Sequence, residues 1–217
     1  MLLKLILNPD EFFSELRKRE VRLRYPFAIV TAVALIVSSY EYFFLSKLVQ
    51  AFPKQIVGII MFGGMIEVVA TFIGMFAAWL IIATVMHGLS VFFNGEGSFR
   101  RTFEFTGYGF LPSLVGSLIT VPMSYYYISR TQIPKFSISQ LLQNPHAVKS
   151  LVKSLLPQSL LYSNLIINLA ITLWSLTIWT FAIKHSRNLK LPHAFICAVI
   201  PTILFTILQL WKLSKTI

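Results

Sequence analysis

Few residues in this chain could do chemistry. Its 217 residues hold eight carboxylates, four histidines and one cysteine, against nineteen lysines and arginines. His87, His146, His185 and His193 are too widely spaced to suggest a metal cluster. A lone Cys197 allows neither an intramolecular disulfide nor a cysteine-based metal site. No His-Glu-x-x-His pair, phosphate-cradling glycine loop or nucleophile elbow occurs. Five of the eight carboxylates lie in the N-terminal segment or at Glu41, which leaves little for acid/base work. The chain therefore reads as non-enzymatic, with no catalytic residue, cofactor or metal. His87 is the best single candidate for a site, placed where its imidazole could meet Tyr108 or Glu104. The plainer reading is a histidine hydrogen-bonded to hold a loop, because a polar group at membrane depth needs a partner in any case.

Two other groups of polar residues stand in apolar surroundings. Glu41 and Glu67 fall near one surface, either as interfacial carboxylates or as an ion or proton site. Asn164, Asn168, Thr172 and Ser175 recur at intervals of four, four and three, one stripe on a helix. The stripe is either a set of interhelical hydrogen bonds or the lining of a cavity. The densest run of glycine and charge spans residues 87–113 and includes Gly95, Gly97, Arg100 and Arg101.

The elements that must position these residues are membrane helices. The chain is 56% hydrophobic and only 12% charged, with mean hydropathy +0.72, whereas a soluble domain carries about 25% charged residues. Several runs exceed the ~18 apolar residues that mark a spanning helix. With no linker between helices, residues 1–217 read as a single domain. The expected architecture is all-α: a polytopic membrane bundle of five transmembrane helices with amphipathic interfacial helices. The net charge of +11 then points to basic loops against anionic headgroups rather than to nucleic acid.

In chain order, residues 1–25 form an amphipathic segment and not a signal peptide, since Pro9, Asp10 and Glu11 directly follow a short apolar run. Asn8 and Glu11 have capping-box spacing, and Phe12, Phe13, Leu16 and Leu23 can share a side. That helix lies on the membrane or packs on the bundle. Spans are expected at about 26–49, 68–93, 107–128, 159–183 and 193–211. Residues 56–93 are too long for one crossing, so a short piece ending near Gly63-Gly64 precedes the second span. Ala70, Gly74 and Ala78 form a small-residue face there. After the turn at Gly95 and Gly97, Ser98 caps a short helix on which Arg100 and Glu104 are spaced for an ion pair. Pro112 and Pro122 favour kinks in the third span. Residues 129–158 form an outer loop whose surface helix starts at Asn144-Pro145, with Val148, Leu151, Val152 and Leu155 on one face. Lys184, His185, Arg187 and Lys190 make a basic loop, Pro201 kinks the last span, and Trp211 and Lys212 anchor its end. An N-terminus inside puts 11 of the 19 lysines and arginines inside, so the chain reads as a multi-pass cell-membrane protein with a cytoplasmic N-terminus and an external C-terminus.

The stretch Gly107-Tyr108-Gly109-Phe110-Leu111-Pro112 resembles the Gly-Tyr-x-x-x-Pro motif of the Yip-domain family, membrane proteins that interact with Ypt/Rab GTPases. His87, Gly95 to Phe99 and Asn8 to Phe13 look like prokaryotic members, and the five-span arrangement agrees. The resemblance implies a membrane-organising or trafficking-type protein. The Asp-Leu-Tyr-Gly-Pro motif of eukaryotic members is absent, with only Leu23 to Pro26 as a trace, which weighs against GTPase binding. Two functions follow as expectations. One is a scaffold whose cytoplasmic face, with the motif and interaction residues His87, Gly95, Gly97, Arg100, Arg101, Gly107, Tyr108 and Pro112, meets membrane lipids or a protein partner. The other is a transporter of ions, small solutes or lipids that uses Glu41, Glu67 and the Asn164 to Ser175 stripe.

Overall fold

Two amphipathic helices begin the chain in the computed structural model, which describes residues 2–144 and 147–216; α1 covers Leu2–Leu7 and α2 covers Pro9–Arg17. The Asn8 side chain accepts from the Glu11 backbone N–H, and its amide donates to the Glu11 carboxylate at 3.0 Å. This closes the start of α2 as the spacing predicts. Phe12, Phe13 and Leu16 are buried, so α2 packs on protein and its apolar face does not lie in lipid.

Five long helices carry the apolar runs: α3 (Arg24–Leu48), α4 (Lys54–Val91), α6 (Leu111–Arg130), α9 (Gln158–Arg187) and α10 (Leu191–Thr216). A short α5 (Phe99–Tyr108) precedes α6, and α7 (Ile138–Gln143) and α8 (Ala147–Leu155) lie between α6 and α9. Among the described residues every regular element is helical, so the molecule is an all-α membrane bundle. By length and composition, Arg24–Ala51, Lys54–Val91 and Gln158–Arg187 are long and apolar enough to cross a membrane, and Leu191–Leu204 is a shorter apolar stretch. α3 packs against α4 and α6, while α9 packs against α6, α10, α5 and α2.

Several boundaries differ from the sequence reading. α4 is unbroken for 38 residues, with no separate piece at Gly63-Gly64. A Cβ on Gly64 would run into the Leu45 side chain, so this glycine serves the approach of α3. Gly74 has open space beside it, so no helix of this chain comes to that point of the Ala70/Gly74/Ala78 face. The third long helix starts at Leu111, not at residue 107: Gly107 and Tyr108 close α5. Pro112 sits in the first turn of α6, where its missing N–H costs no helical bond. Lys184, His185 and Arg187 form the last turn of α9 rather than a loop, and the chain leaves that helix through Asn188 in the left-handed conformation. Pro145 and His146 fall outside the described residues, as do the side chains of Trp211 and Lys212.

Two cores result. The larger gathers residues of α2, α5, the C-terminal half of α4, the C-terminal half of α9 and the start of α10. The smaller, at the other end of the bundle, joins Ala51, Ile128, Leu151 and Leu155 beneath α8. Leu151 and Leu155 are buried as the periodicity predicts, while Val148 is exposed.

Candidate functional site

The residues around the Gly-Tyr-x-x-x-Pro stretch meet at the end of the bundle where α2, α5, the end of α4 and the end of α9 converge. α5 begins at Ser98, whose hydroxyl accepts from the Arg101 N–H. Its end is held by two indoles. Trp79 of α4 donates to the Phe103 carbonyl at 2.9 Å and stacks on the Phe103 ring. Trp179 of α9 donates to the Thr106 carbonyl at 2.9 Å. Buried indoles need an acceptor, and the last turns of a helix have carbonyls to offer. The glycines of the motif make room for these rings. A Cβ on Gly107 would lie 2.5 Å from Pro26 Cβ and 2.7 Å from the Trp79 ring, and one on Gly109 would overlap the Trp179 indole. Tyr108, between them, is buried against Phe12 and Phe13 of α2. The motif is thus a joint, clamped between two tryptophans and a proline that no local pattern connects to it.

Charged groups tie the same elements together. Glu104 is fully buried; it accepts the Arg22 N–H at 2.9 Å and pairs with Arg101 at 2.7 Å. The partner is therefore Arg101, at i−3, and not Arg100, which is exposed. Arg101 also donates to the carbonyls of Leu16 and Arg19, fastening α5 to the end of α2. Burial pushes the Glu104 carboxyl above the usual carboxylate range, against the pull of the Arg22 N–H and Arg101. Arg187 is 5% exposed. It donates to the Gly95 and Gly97 carbonyls and to Ser90 Oγ, the last at 2.7 Å. Gly97 has φ +127°, and a Cβ there would strike the Ser186 carbonyl, so the turn and the end of α9 are mutually fitted. Asp10 of α2 accepts from Lys184 Nζ and lies 2.6 Å from His185 Nε2. The Lys184 ammonium, then the His185 ring, hold the Asp10 carboxyl below its usual range.

His87 meets neither Tyr108 nor Glu104. Its Nδ1 is 3.0 Å from Thr102 Oγ1, and its ring stands edge-on to Phe99. Of the residues singled out in sequence, Gly95, Gly97, Arg101, Gly107 and Tyr108 are brought together here as a packed knot, and Arg100 lies on its surface. Trp79 and Trp179 belong to the knot and were not picked out, while Asp10 and Arg187 read in sequence only as parts of the N-terminal segment and the basic loop. The two tryptophans carried the one available signal, an indole N–H inside an apolar run.

The second candidate lies toward the other end. Glu41 and Glu67 border one groove of about 270 Å³ between α3 and α4, with Tyr40, Gly64, Val68 and Leu156. The asparagine stripe does not join it. The Asn164 amide donates to Ser124 of α6 at 3.5 Å, Asn168 and Thr172 donate back to carbonyls of their own helix, and Ser175 is buried with no hydrogen-bond partner for its hydroxyl among the described residues. Among the described residues no group of three or more His, Cys, Asp or Glu could hold a metal ion.

An uncharacterised protein of the archaeon Methanocaldococcus jannaschii is 45% identical over 125 residues, which cover 58% of this chain and 89% of that protein. No solved structure matches this chain. The Yip1 domain family matches residues 3–212, nearly the whole length, and the chain belongs to that family.

Proposed function

We propose that the protein is a non-enzymatic membrane scaffold whose motif end presents a preformed platform to the cytoplasm. The carrying observation is the way α2, α5 and the end of α9 are pinned together by side chains from distant parts of the sequence: Asp10 with Lys184 and His185, Arg101 with Glu104 and the α2 carbonyls, Arg187 with the α4–α5 turn. The residues the family motif supplies are spent on this packing. Exposed cations remain on the outside, among them Arg17, Lys18, Arg100 and Lys190. Such a basic surface suits the cytoplasmic leaflet and an anionic headgroup or protein partner. On this reading α3, α4, α6, α9 and α10 make five crossings of the cell membrane, with the N-terminus inside and the C-terminus outside. GTPase binding is not part of the proposal. The test is cross-linking in native membranes followed by identification of what co-purifies. Substitution Arg100→Glu together with Lys190→Glu should remove the specific partners; an unchanged set would overturn the reading.

A second reading, translocation of an ion, small solute or lipid, is favoured by the groove that Glu41 and Glu67 share. It predicts flux across reconstituted liposomes that falls in Glu41→Gln and Glu67→Gln. Flux no greater than in empty vesicles would dismiss it.

A further inference from the structure

We infer that the cavity between the end of α2, the start of α3 and α5 binds the phosphate group of an anionic phospholipid. The cavity holds about 300 Å³, enough for a phosphate with its glycerol carbons. Arg19, Arg22 and Arg24 border it together. Among the described residues none of these three guanidiniums is in an ion pair. Two carboxylates also border the cavity. Glu104 is already matched by Arg101 and by the Arg22 N–H, and Glu20 is exposed at the edge. The positive charge therefore exceeds what the cavity itself answers. Guanidinium forks suit phosphate oxygens in both charge and shape.

The walls add further donors. Tyr25 and Tyr108 both border the cavity. Tyr108 is buried, only 1% exposed, so it forms the inner wall. Arg24 lies over the Tyr25 ring, 4.8 Å from its centroid, which holds that guanidinium near the opening. No side chain caps the start of α3, so the positive end of its dipole adds to the field. The carbonyls of Leu16 and Arg19, which would repel an anion, are engaged by Arg101.

Depth identifies the source of the phosphate. Arg24 opens α3, and Phe27, one turn on, is exposed. At 1.5 Å per residue the two are separated by about 4.5 Å along the axis. The cavity thus stands where the apolar surface begins, at headgroup level, and lipid chains can run down α3 from it. A soluble phosphate compound would use the donors but not that adjoining surface.

The inference rests on the scaffold reading only for placing this end at the headgroup layer, and its test uses other residues than Arg100 and Lys190, so either can fail alone. The full chain, purified in detergent, is offered equal phosphatidylglycerol and phosphatidylcholine and retained lipid is measured by native mass spectrometry. Wild type should favour phosphatidylglycerol by about tenfold, and the Arg22→Gln, Arg24→Gln double variant by no more than roughly threefold. Both side chains are exposed, and the Arg22 N–H bond to Glu104 survives the change, so folding should persist; an unaltered melting temperature checks it. Lys149→Gln with Lys153→Gln, at the other end, should leave the preference intact. Equal retention of the two lipids, or a preference that survives Arg22→Gln and Arg24→Gln, overturns the proposal. So does full displacement of phosphatidylglycerol by millimolar inorganic phosphate, which would make the site one for free phosphate.

Discussion

The two halves of α4 are chemically alike and structurally opposite. From Trp79 onward the helix buries Trp79, Ile82, Ala83, Met86 and Ser90; before Trp79 it buries nothing. Ile59, Phe62, Ile66, Val69 and Ile73 are all exposed. Composition does not separate the halves, because lipid and protein interior are equally apolar to a leucine. What separates them is the presence of partners that can accept a hydrogen bond or fill a gap. The Trp79 half faces α5, with its carbonyls, glycines and buried ion pair; the Ile59 half faces α3 and is otherwise exposed. One end of the bundle is packed as a soluble core is, with buried indoles and an ion pair; the other has the smaller core and lighter polar ties, such as Ser38 Oγ donating to the Val68 carbonyl at 3.4 Å. Substitutions should therefore have unequal effects at the two ends, and that asymmetry can be broken by measurement.

The largest contrast is between two glycines. Gly109→Ala puts a methyl into the Trp179 indole and must displace it from the Thr106 carbonyl. Overpacking plus a buried donor left unpaired should destabilise by about 3–5 kcal/mol. Gly74→Ala, on the exposed half, meets nothing within 4 Å and should be neutral or stabilising by up to ~1 kcal/mol through helix propensity. Tryptophan fluorescence during thermal unfolding in detergent distinguishes them. Equal melting temperatures for the two variants would abolish the distinction between the ends.

Next come the buried charges of the packed end. Glu104→Ala leaves the Arg22 N–H without an acceptor and Arg101 without its anion, and should cost about 3 kcal/mol. Glu104→Gln keeps an acceptor for the N–H and should lie within ~1 kcal/mol of wild type. The sign of the pH effect follows from the raised carboxyl. A folded value above the unfolded one favours the fold at low pH, and that contribution fades as pH rises through the folded value. Glu104→Gln should therefore gain on wild type as pH rises from acid to neutral, in melts across that range. Arg187→Met removes the donors to Ser90, Gly95 and Gly97. Three acceptors, two of them next to solvent, lose a partner, so about 2–3 kcal/mol is expected, read from the same unfolding curves.

What was legible in sequence was mostly local. The Asn8–Glu11 box, the Ser98 cap and the buried face of α8 depend on spacings of three and four, which a helix fixes whatever surrounds it. The choice between Arg100 and Arg101 for Glu104 could not be local. Both lie within reach on a helix, and the selection is made by Arg22 and the α2 carbonyls, which only the fold brings near. Arg187 looked like a solvated loop residue because a basic cluster at a helix end usually is one; its burial needs two carbonyls from the Gly95–Gly97 turn pointing at it. The motif at Gly107 could be recognised as a pattern, but the reason for its glycines is Trp79 and Trp179, on helices far away in the chain. Gly63-Gly64 looked like a break because glycine often is one in water. In lipid an opened backbone has no solvent to turn to, so the helix continues.

The smallest effect expected is at Asp10, and it tests whether the packed end owes its order to charge or to shape. Asp10 is bound by Lys184 and His185 but half exposed to solvent. An exposed pair contributes little, about 0.5 kcal/mol, so Asp10→Asn should lower the melting temperature only slightly at neutral pH. Its carboxyl is held below the usual range. A depressed value contributes stability above the ordinary carboxylate pKa, and that stability is lost as pH falls through it toward the folded value. The difference between wild type and Asp10→Asn should therefore be steady at neutral pH and vanish in acid. The aromatic contacts of the same helix, Phe12 and Phe13 with Tyr108, have no such dependence. If shape dominates, Phe13→Ala should cost about 3 kcal/mol or more at every pH while Asp10→Asn costs little at any. A larger loss from Asp10→Asn than from Phe13→Ala would mean that α2 is held on by charge, and that the packed end is a weaker, salt-dependent clasp.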